Sequence, residues 1–134
     1  KDDLMAWTTE EADDGAQWIE LKYYDELHVT KIRVKESLAP GAIIKIELKD
    51  AESYYTLWEG VDDRRHKDCP GFFEKEFFVM QGNITLDMTP FKTDTVRITL
   101  DTSNVPDWNE IDAVEMLGYT NRWYYFNNTL VIED

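Results

Sequence analysis

The sequence predicts an all-β fold: an antiparallel β-sandwich, or jelly roll, with an additional C-terminal β-hairpin. Runs in which apolar and polar residues alternate recur about every ten residues, as they do in the strands of a sandwich. Turn residues such as Pro40-Gly41 and Gln81-Gly82 separate these runs. No stretch shows the sustained i, i+3, i+4, i+7 apolar spacing of a long helix, although one short helical turn fits Glu10–Gly15.

Individual strands follow from period-2 alternation, which places every second side chain on the same face. Two runs show it clearly, with apolar residues Val96, Ile98 and Leu100 in one and Ile44, Ile46 and Leu48 in the other. Pro106 excludes a helix from the loop after the first of these runs, because proline lacks an N–H donor and favours an extended preceding residue. The predicted strands are Gln17–Tyr23, Leu27–Lys35, Ala42–Lys49, Tyr54–Trp58, Phe72–Val79, Asn83–Asp87, Asp94–Leu100 and Glu110–Leu117.

The C-terminal segment predicts the hairpin. An aromatic run, Trp123–Phe126, is followed by Asn127-Asn128, a pair that suits a turn with positive φ, and then by Thr-Leu-Val-Ile. We therefore divide the chain into a sandwich over residues 1–118 and a hairpin over residues 119–134 that packs on it. The alternative is that this hairpin forms an interaction edge in a larger molecule.

Composition narrows the class of protein. A chain of 134 residues with 43% hydrophobic content is long and apolar enough for one folded domain. Its net charge of −14 excludes nucleic acid as a partner and disfavours anionic membranes, since both are bound through Lys and Arg. No apolar run approaches the roughly 20 residues of a transmembrane helix. The chain begins with Lys1, as we expect of a processed piece of a longer protein.

Cysteine content and glycosylation motifs leave the compartment open. Cys69 is the single cysteine of the chain, so we expect no internal disulfide. Two triplets, Asn83-Ile-Thr and Asn127-Asn-Thr, match the acceptor motif for N-glycosylation, a motif that is common by chance.

Short motifs occur in a characteristic order along the chain. They are Gln-Trp-Ile-Glu-Leu at 17–21, His-Val-Thr-Lys-Ile-Arg-Val-Lys-Glu at 28–36, Pro-Gly-Ala-Ile-Ile-Lys-Ile at 40–46, Tyr-Thr-Leu-Trp-Glu-Gly at 55–60, Val-Arg-Ile-Thr-Leu at 96–100 and Trp-Asn-Glu-Ile-Asp-Ala-Val-Glu-Met-Leu-Gly at 108–118. This order resembles the discoidin-like domain, also called the coagulation-factor-type C or galactose-binding-like fold. The most similar variants have a Pro-Gly-Ala strand start and a closing Glu-Ile/Leu-Asp-Ala-Val motif, and occur in bacterial surface proteins and in a ubiquitin-ligase subunit.

The resemblance implies a sandwich that binds sugars or lipids through loops at one end. We expect it in an extracellular or cell-surface protein, and an intracellular location is left open. Two departures from the family's pattern matter. The family's strand before Trp7 is missing, and we expect the C-terminal hairpin or another chain to supply it. The arginine that sugar-binding relatives often place after the second strand is absent, because Glu36-Ser37-Leu38 stands there.

Loop positions follow from the alternation of chain direction in antiparallel strands. This count places the loops 7–16, 36–41, 59–71 and 88–93 at one end of the sandwich and the loop 101–109 at the other. Relatives bind ligands at the first end. There, aromatic rings stack on sugar faces and Arg grips hydroxyl pairs or carboxylates. The predicted ligand-binding residues are Trp7, Arg64, Arg65, His66 and Phe91.

Structural roles compete with these binding roles. The cationic cluster of residues 64–67 also suits a solvated loop in which Arg neutralises neighbouring Asp residues. We expect Trp18 and Trp58 to pack in the core, and His28 to be structural.

Metal binding is a secondary prediction. No cofactor is required, but sugar-binding relatives often hold a structural calcium ion near their opening loop, and carboxylate oxygens suit that cation. Asp13, Asp14 and Asp112 are the candidate ligands. A zinc site in the 59–71 loop is disfavoured, because the Asp, His and Cys residues there lack the regular spacing of zinc motifs.

The sequence thus favours a non-catalytic recognition module of a larger protein that binds glycan through loops at one end of the sandwich. The alternative is a protein–protein interaction or assembly domain. We do not expect an enzyme, because the sequence shows no Ser–His–Asp grouping and no convergent pair of carboxylates.

Overall fold

The computed structural model describes residues 7–8, 16–38, 42–61, 71–101 and 110–133, and within these residues the chain is all-β, as predicted. This part of the chain contains no helix long and apolar enough to cross a membrane. Its strands are β1 (Trp7–Thr8), β2 (Ala16–Leu38), β3 (Ile43–Asp50), β4 (Ser53–Glu59), β5 (Gly71–Glu76), β6 (Val79–Gln81), β7 (Ile84–Leu86), β8 (Lys92–Asp101), β9 (Glu110–Tyr119), β10 (Arg122–Phe126) and β11 (Thr129–Glu133).

The long strand β2 builds both layers of the sandwich. Its residues 16–22 pair with β8, and β3 and β4 continue that side in the order β2-β8-β3-β4. Its residues 28–38 pair with β9, and residues 31–36 also pair with β5, while β1 extends the sheet beyond β9. The register of β2 against β8 shifts between Lys22 and Leu27, where the chain passes from one layer to the other. The predicted strands Gln17–Tyr23 and Leu27–Lys35 are therefore the two arms of one continuous strand.

A single hydrophobic core lies between the two layers. Ile32, Val34 and Phe73 contribute from one layer, and Val96 and Ile98 contribute from the other, all of them almost completely buried. The alternation predicted for β8 is confirmed, because Val96, Ile98 and Leu100 are all buried.

Strand β3 departs from the predicted alternation at its first two residues. Ile43 is completely buried, whereas Ile44 is half-buried. The register of β3 against β8 shifts between Ile43 and Lys45, and such a bulge changes which neighbour faces the core. The predicted helical turn at Glu10–Gly15 lies outside the described residues.

A second, smaller sheet has the strand order β11-β10-β7-β6, and all of its pairs are antiparallel. The predicted hairpin is confirmed: Asn127 and Asn128, with φ of 50° and 64°, form the turn between β10 and β11. β10 pairs with β7, so in the described structure the hairpin extends this small sheet instead of the large one.

Candidate functional site

One end of the sandwich holds the flanks of most of the predicted binding loops. Glu110 pairs with both Thr8 and Leu38, so the start of β9, the short strand β1 and the end of β2 meet there. The amide of Asp101 donates to the carbonyl of Ala42 over 2.7 Å, which brings the end of β8 to the start of β3. Only three residues separate Leu38 from Ala42, so Asp101 and Glu110, which flank the segment between β8 and β9, lie at this same end. The prediction that the segment 101–109 starts and ends at the other end is wrong, and residues 102–109 themselves lie outside the described residues.

Most of the predicted ligand-binding side chains lie outside the described residues. This holds for Arg64, Arg65 and His66, and the structure describes Trp7 only through its backbone, in β1. Their role in binding stays a prediction.

Phe91 lies at the opposite end of the sandwich. It precedes Lys92, which pairs with His28, and His28 also pairs with Tyr119 at the end of β9. Since β1 pairs with the first residues of β9, Phe91 and β1 are about 26 Å apart along that strand. The Phe91 ring packs on the core and meets Tyr55 edge-on, with centroids 5.8 Å apart. The prediction that the 88–93 segment shares an end with the opening loop is wrong.

The error in loop placement has a definite cause. The predicted loop positions require the segments 72–79 and 83–87 to be two strands that each cross the sandwich. In the structure, β6 and β7 pair with each other, and β7 pairs with β10 of the C-terminal hairpin. The chain therefore leaves the large sheet at the end of β5 and re-enters it at the start of β8, at the same end of the sandwich. Every loop after β7 consequently lies at the end opposite to the predicted one.

The predicted calcium ligands remain untested. Asp13 and Asp14 lie outside the described residues, and Asp112 is described through its backbone, in β9. Among the side chains that the structure does describe, no three His, Cys, Asp or Glu residues come together as a metal site would require.

The small sheet presents an apolar face to solvent. Residues directly opposite one another in an antiparallel pair share a face, and the register aligns Met80, Thr85, Tyr125 and Leu130 across all four strands. Ile132 lies two residues beyond Leu130 and so belongs to the same face. The exposed fractions of Met80 and Ile132 are 69% and 62%, and those of Tyr125 and Leu130 exceed 40%. None of these residues is charged, so the small sheet exposes a continuous uncharged face across its four strands.

The outer edge of the small sheet is formed by β11. Within the described part of the chain β11 pairs with β10 alone, which leaves one row of its backbone N–H and C=O groups without a strand partner. Such an edge is a template for an additional strand. The apolar face and this edge meet at Leu130 and Ile132.

A second cluster lies on the outer face of the large sheet. The Arg97 guanidinium lies over the rings of Trp18 and Tyr54, at 4.4 and 4.0 Å from their centroids, and pairs with Glu20 over 3.1 Å. The Tyr54 hydroxyl donates to Glu20 over 2.5 Å. This hydrogen bond, followed by the contacts with Arg97, lowers the pKa of Glu20 below its ordinary value of 4.5. The same bond raises the pKa of Tyr54 above 10.0.

Trp18, Trp58 and His28 were all predicted to have structural roles, and two of the three do. Trp18 is 57% exposed, so the prediction that it packs in the core is wrong. Trp58 packs against the core and meets Phe73 edge-on at 4.9 Å, as predicted. His28 is buried, and its Nδ1 donates to the carbonyl of Thr89 over 2.7 Å, which is the expected structural role.

Sequence reasoning missed the cluster around Trp18, and it predicted the small-sheet surface only in part, through the alternative that the C-terminal hairpin forms an interaction edge. The signal for Trp18 was present, because it alternates with Ile19 and Leu21 and shares its face with Glu20. The apolar face of the small sheet had no comparable signal, since its members come from four strands whose pairing no local pattern records.

Comparison with known proteins adds no relationship: no family model matches the chain, and no curated protein matches it. The resemblance to the discoidin-like domain therefore depends on the motifs quoted above.

Proposed function

We propose that this domain is a non-catalytic recognition module that binds a protein partner through the small sheet. The observation that supports this proposal is the coincidence of the apolar face with the unpaired edge of β11. Exposed apolar area without charges is typical of interaction surfaces, and a free edge supplies main-chain hydrogen bonds to an extended segment.

The partner we propose is an extended, basic segment. Its main chain adds to β11, and every second side chain lies on the apolar face. Net charge supports the basic character, because a domain of charge −14 attracts a cationic segment and repels a second copy of itself.

Selection of displayed random peptides on the purified domain tests this proposal. We expect enrichment of sequences that alternate apolar residues with Lys or Arg, and slower hydrogen exchange at the amides of 129–133 when a selected peptide is bound. Ile132→Asp should abolish binding. Val61→Asp is the matched control, since Val61 is also β-branched and is 73% exposed but lies outside the small sheet.

Two results would contradict the proposal. One is equal binding of the selected peptides to both variants. The other is a selection that yields no specific peptide from a folded domain.

Glycan recognition is the second candidate function, and the exposed ring of Trp18 favours it. A sugar face stacks on such a ring, while Arg97 and Glu20 offer groups for hydroxyls. A glycan array, run with calcium and again with chelator, tests this candidate on wild type, Trp18→Ala and Arg64→Ala. Loss of a hit in the first variant assigns the sugar to the sheet face, and loss in the second assigns it to the predicted loop. A blank array from folded protein removes the candidate.

A further inference from the structure

A cleft of about 340 Å³ lies where the small sheet meets the large one. Asp87 and Met88, which follow β7, form part of its wall, and Thr30 and Lys31 of β2 form another part. The rest of the wall is formed by Tyr119 at the end of β9, Trp123 of β10, and Glu76, Phe77 and Phe78 at and after the end of β5. Its volume is within the range of sites that hold small ligands or single side chains.

The cleft contains a carboxylate oxygen without a partner. Oδ1 of Asp87 is buried, and among the described residues no group donates a hydrogen bond to it. Burying a carboxylate oxygen costs free energy unless a donor, and best a cation, replaces the lost water. Lys31 is the cation lining this cleft, but its ammonium lies 3.7 Å from Glu74 and 3.6 Å from Glu76 and is committed to them. The carboxylate of Asp87 therefore lacks a counter-ion that the described side chains could supply.

Aromatic rings form the other walls. The rings of Tyr119 and Trp123 lie with their centroids 4.3 Å apart at 50° to one another, and Phe78 is largely exposed. The faces of such rings attract organic cations, which also keep their apolar atoms in contact with the ring. A carboxylate beside aromatic faces thus has the chemistry of a site for an organic cation.

We propose that this cleft binds the cationic end of an arginine or lysine side chain, with its charge on Asp87 and its stem against Tyr119 and Trp123. The assignment of that side chain to the protein partner rests on the proposed function, because the cleft adjoins the small sheet. The cation site itself does not depend on the proposed function.

A titration of the wild-type domain tests the site without any variant. The probe is N-acetyl-arginine methyl ester, and the control is the citrulline analogue, which has nearly the same shape and no charge. We expect saturable NMR shifts at the amides of Asp87 and Tyr119 and at the Trp123 indole with the arginine probe and with its lysine counterpart. Equal shifts with citrulline, or no saturable shifts with the cations, would overturn the site.

Variants then test the role of Asp87. Asp87→Asn keeps the shape and removes the charge, and it should weaken binding of the arginine probe by about 10- to 100-fold, as expected for a charged hydrogen bond. Asp50→Asn removes an equal charge at the exposed end of β3 and should leave binding unchanged. Because Oδ1 of Asp87 has no hydrogen-bond donor among the described residues, Asp87→Asn should melt no lower than wild type. Undiminished probe binding by a folded Asp87→Asn domain would overturn the assignment.

The peptides selected on the small sheet separate this inference from the proposed function. If they bind Asp87→Asn as tightly as wild type while the probe does not, the cation does not come from the partner. If the probe fails on wild type, the site is wrong whatever the peptides do.

Discussion

Replacing Thr89 with Val tests how the small sheet is held on the sandwich. Thr89 is completely buried, and its hydroxyl makes hydrogen bonds with backbone groups. Its Oγ1 accepts from the amide of Val29 over 2.9 Å and donates to the carbonyl of Phe91 over 2.6 Å, while its own amide donates to the carbonyl of Val29 over 3.0 Å. These bonds hold the segment 87–91, which follows β7, against β2.

The size of the effect follows from these two side-chain bonds. Val keeps the β-branched shape and leaves the backbone bonds of Thr89 intact, but the Val29 amide and the Phe91 carbonyl lose their partners. A buried group left unpaired costs about 1–3 kcal/mol, so the two together should lower the free energy of unfolding by about 2–6 kcal/mol. For a domain of this size that corresponds to a melting temperature lower by about 3 °C per kcal/mol.

Urea unfolding followed by tryptophan fluorescence measures this difference. Thr99→Val is the matched control, since Thr99 is half-buried in β8 and its hydroxyl makes no hydrogen bond with the described residues. The control should change the free energy of unfolding by less than about 0.5 kcal/mol. If Thr89→Val costs no more than the control, these hydrogen bonds do not hold the segment and the reasoning fails.

Two further predictions concern backbone packing and acid stability. A Cβ at Gly118 would lie 2.1 Å from the carbonyl oxygen of His28, so we expect Gly118→Ala to destabilise the domain by about 1–3 kcal/mol, and an unchanged urea midpoint would contradict this close approach. Because contacts with Tyr54 and Arg97 lower the pKa of Glu20 in the folded state, its contribution to stability is present above pH 4.5 and is lost as the pH falls through the lowered pKa. Melting curves from pH 7 to pH 3 should therefore show a weaker acid dependence for Glu20→Gln than for wild type, with a small difference because the pair is exposed. Identical curves would show that the hydrogen bond does not persist in solution.

Local chemistry made much of the fold predictable. The Asn127-Asn128 pair identified its turn, because asparagine tolerates the left-handed conformation that both residues adopt. The alternation at Val96, Ile98 and Leu100 identified a strand with one buried face. In each case the residues that carry the signal also form the contacts.

The end at which each loop lies was not predictable in this way. Short segments such as β6 and β7 have the alternation of strands whether they cross the sandwich or join a separate sheet. The pairing of β7 with β10, which joins both short strands to the hairpin, is a long-range contact that residue patterns within 79–86 do not encode. Ile43 and Ile44 show the same limit on a smaller scale, because the bulge selects one of two identical side chains for the core.

The negative net charge of the chain and the apolar face of the small sheet act together in the proposed function. An uncharged face spanning four strands beside an open edge favours association with any other exposed strand. A net charge of −14 opposes the approach of a second copy and favours a cationic segment. In the proposed complex, the buried oxygen of Asp87, for which the described residues supply no donor, is the site for one cation of that segment. Apolar contact then supplies affinity, and charge decides which partner is accepted.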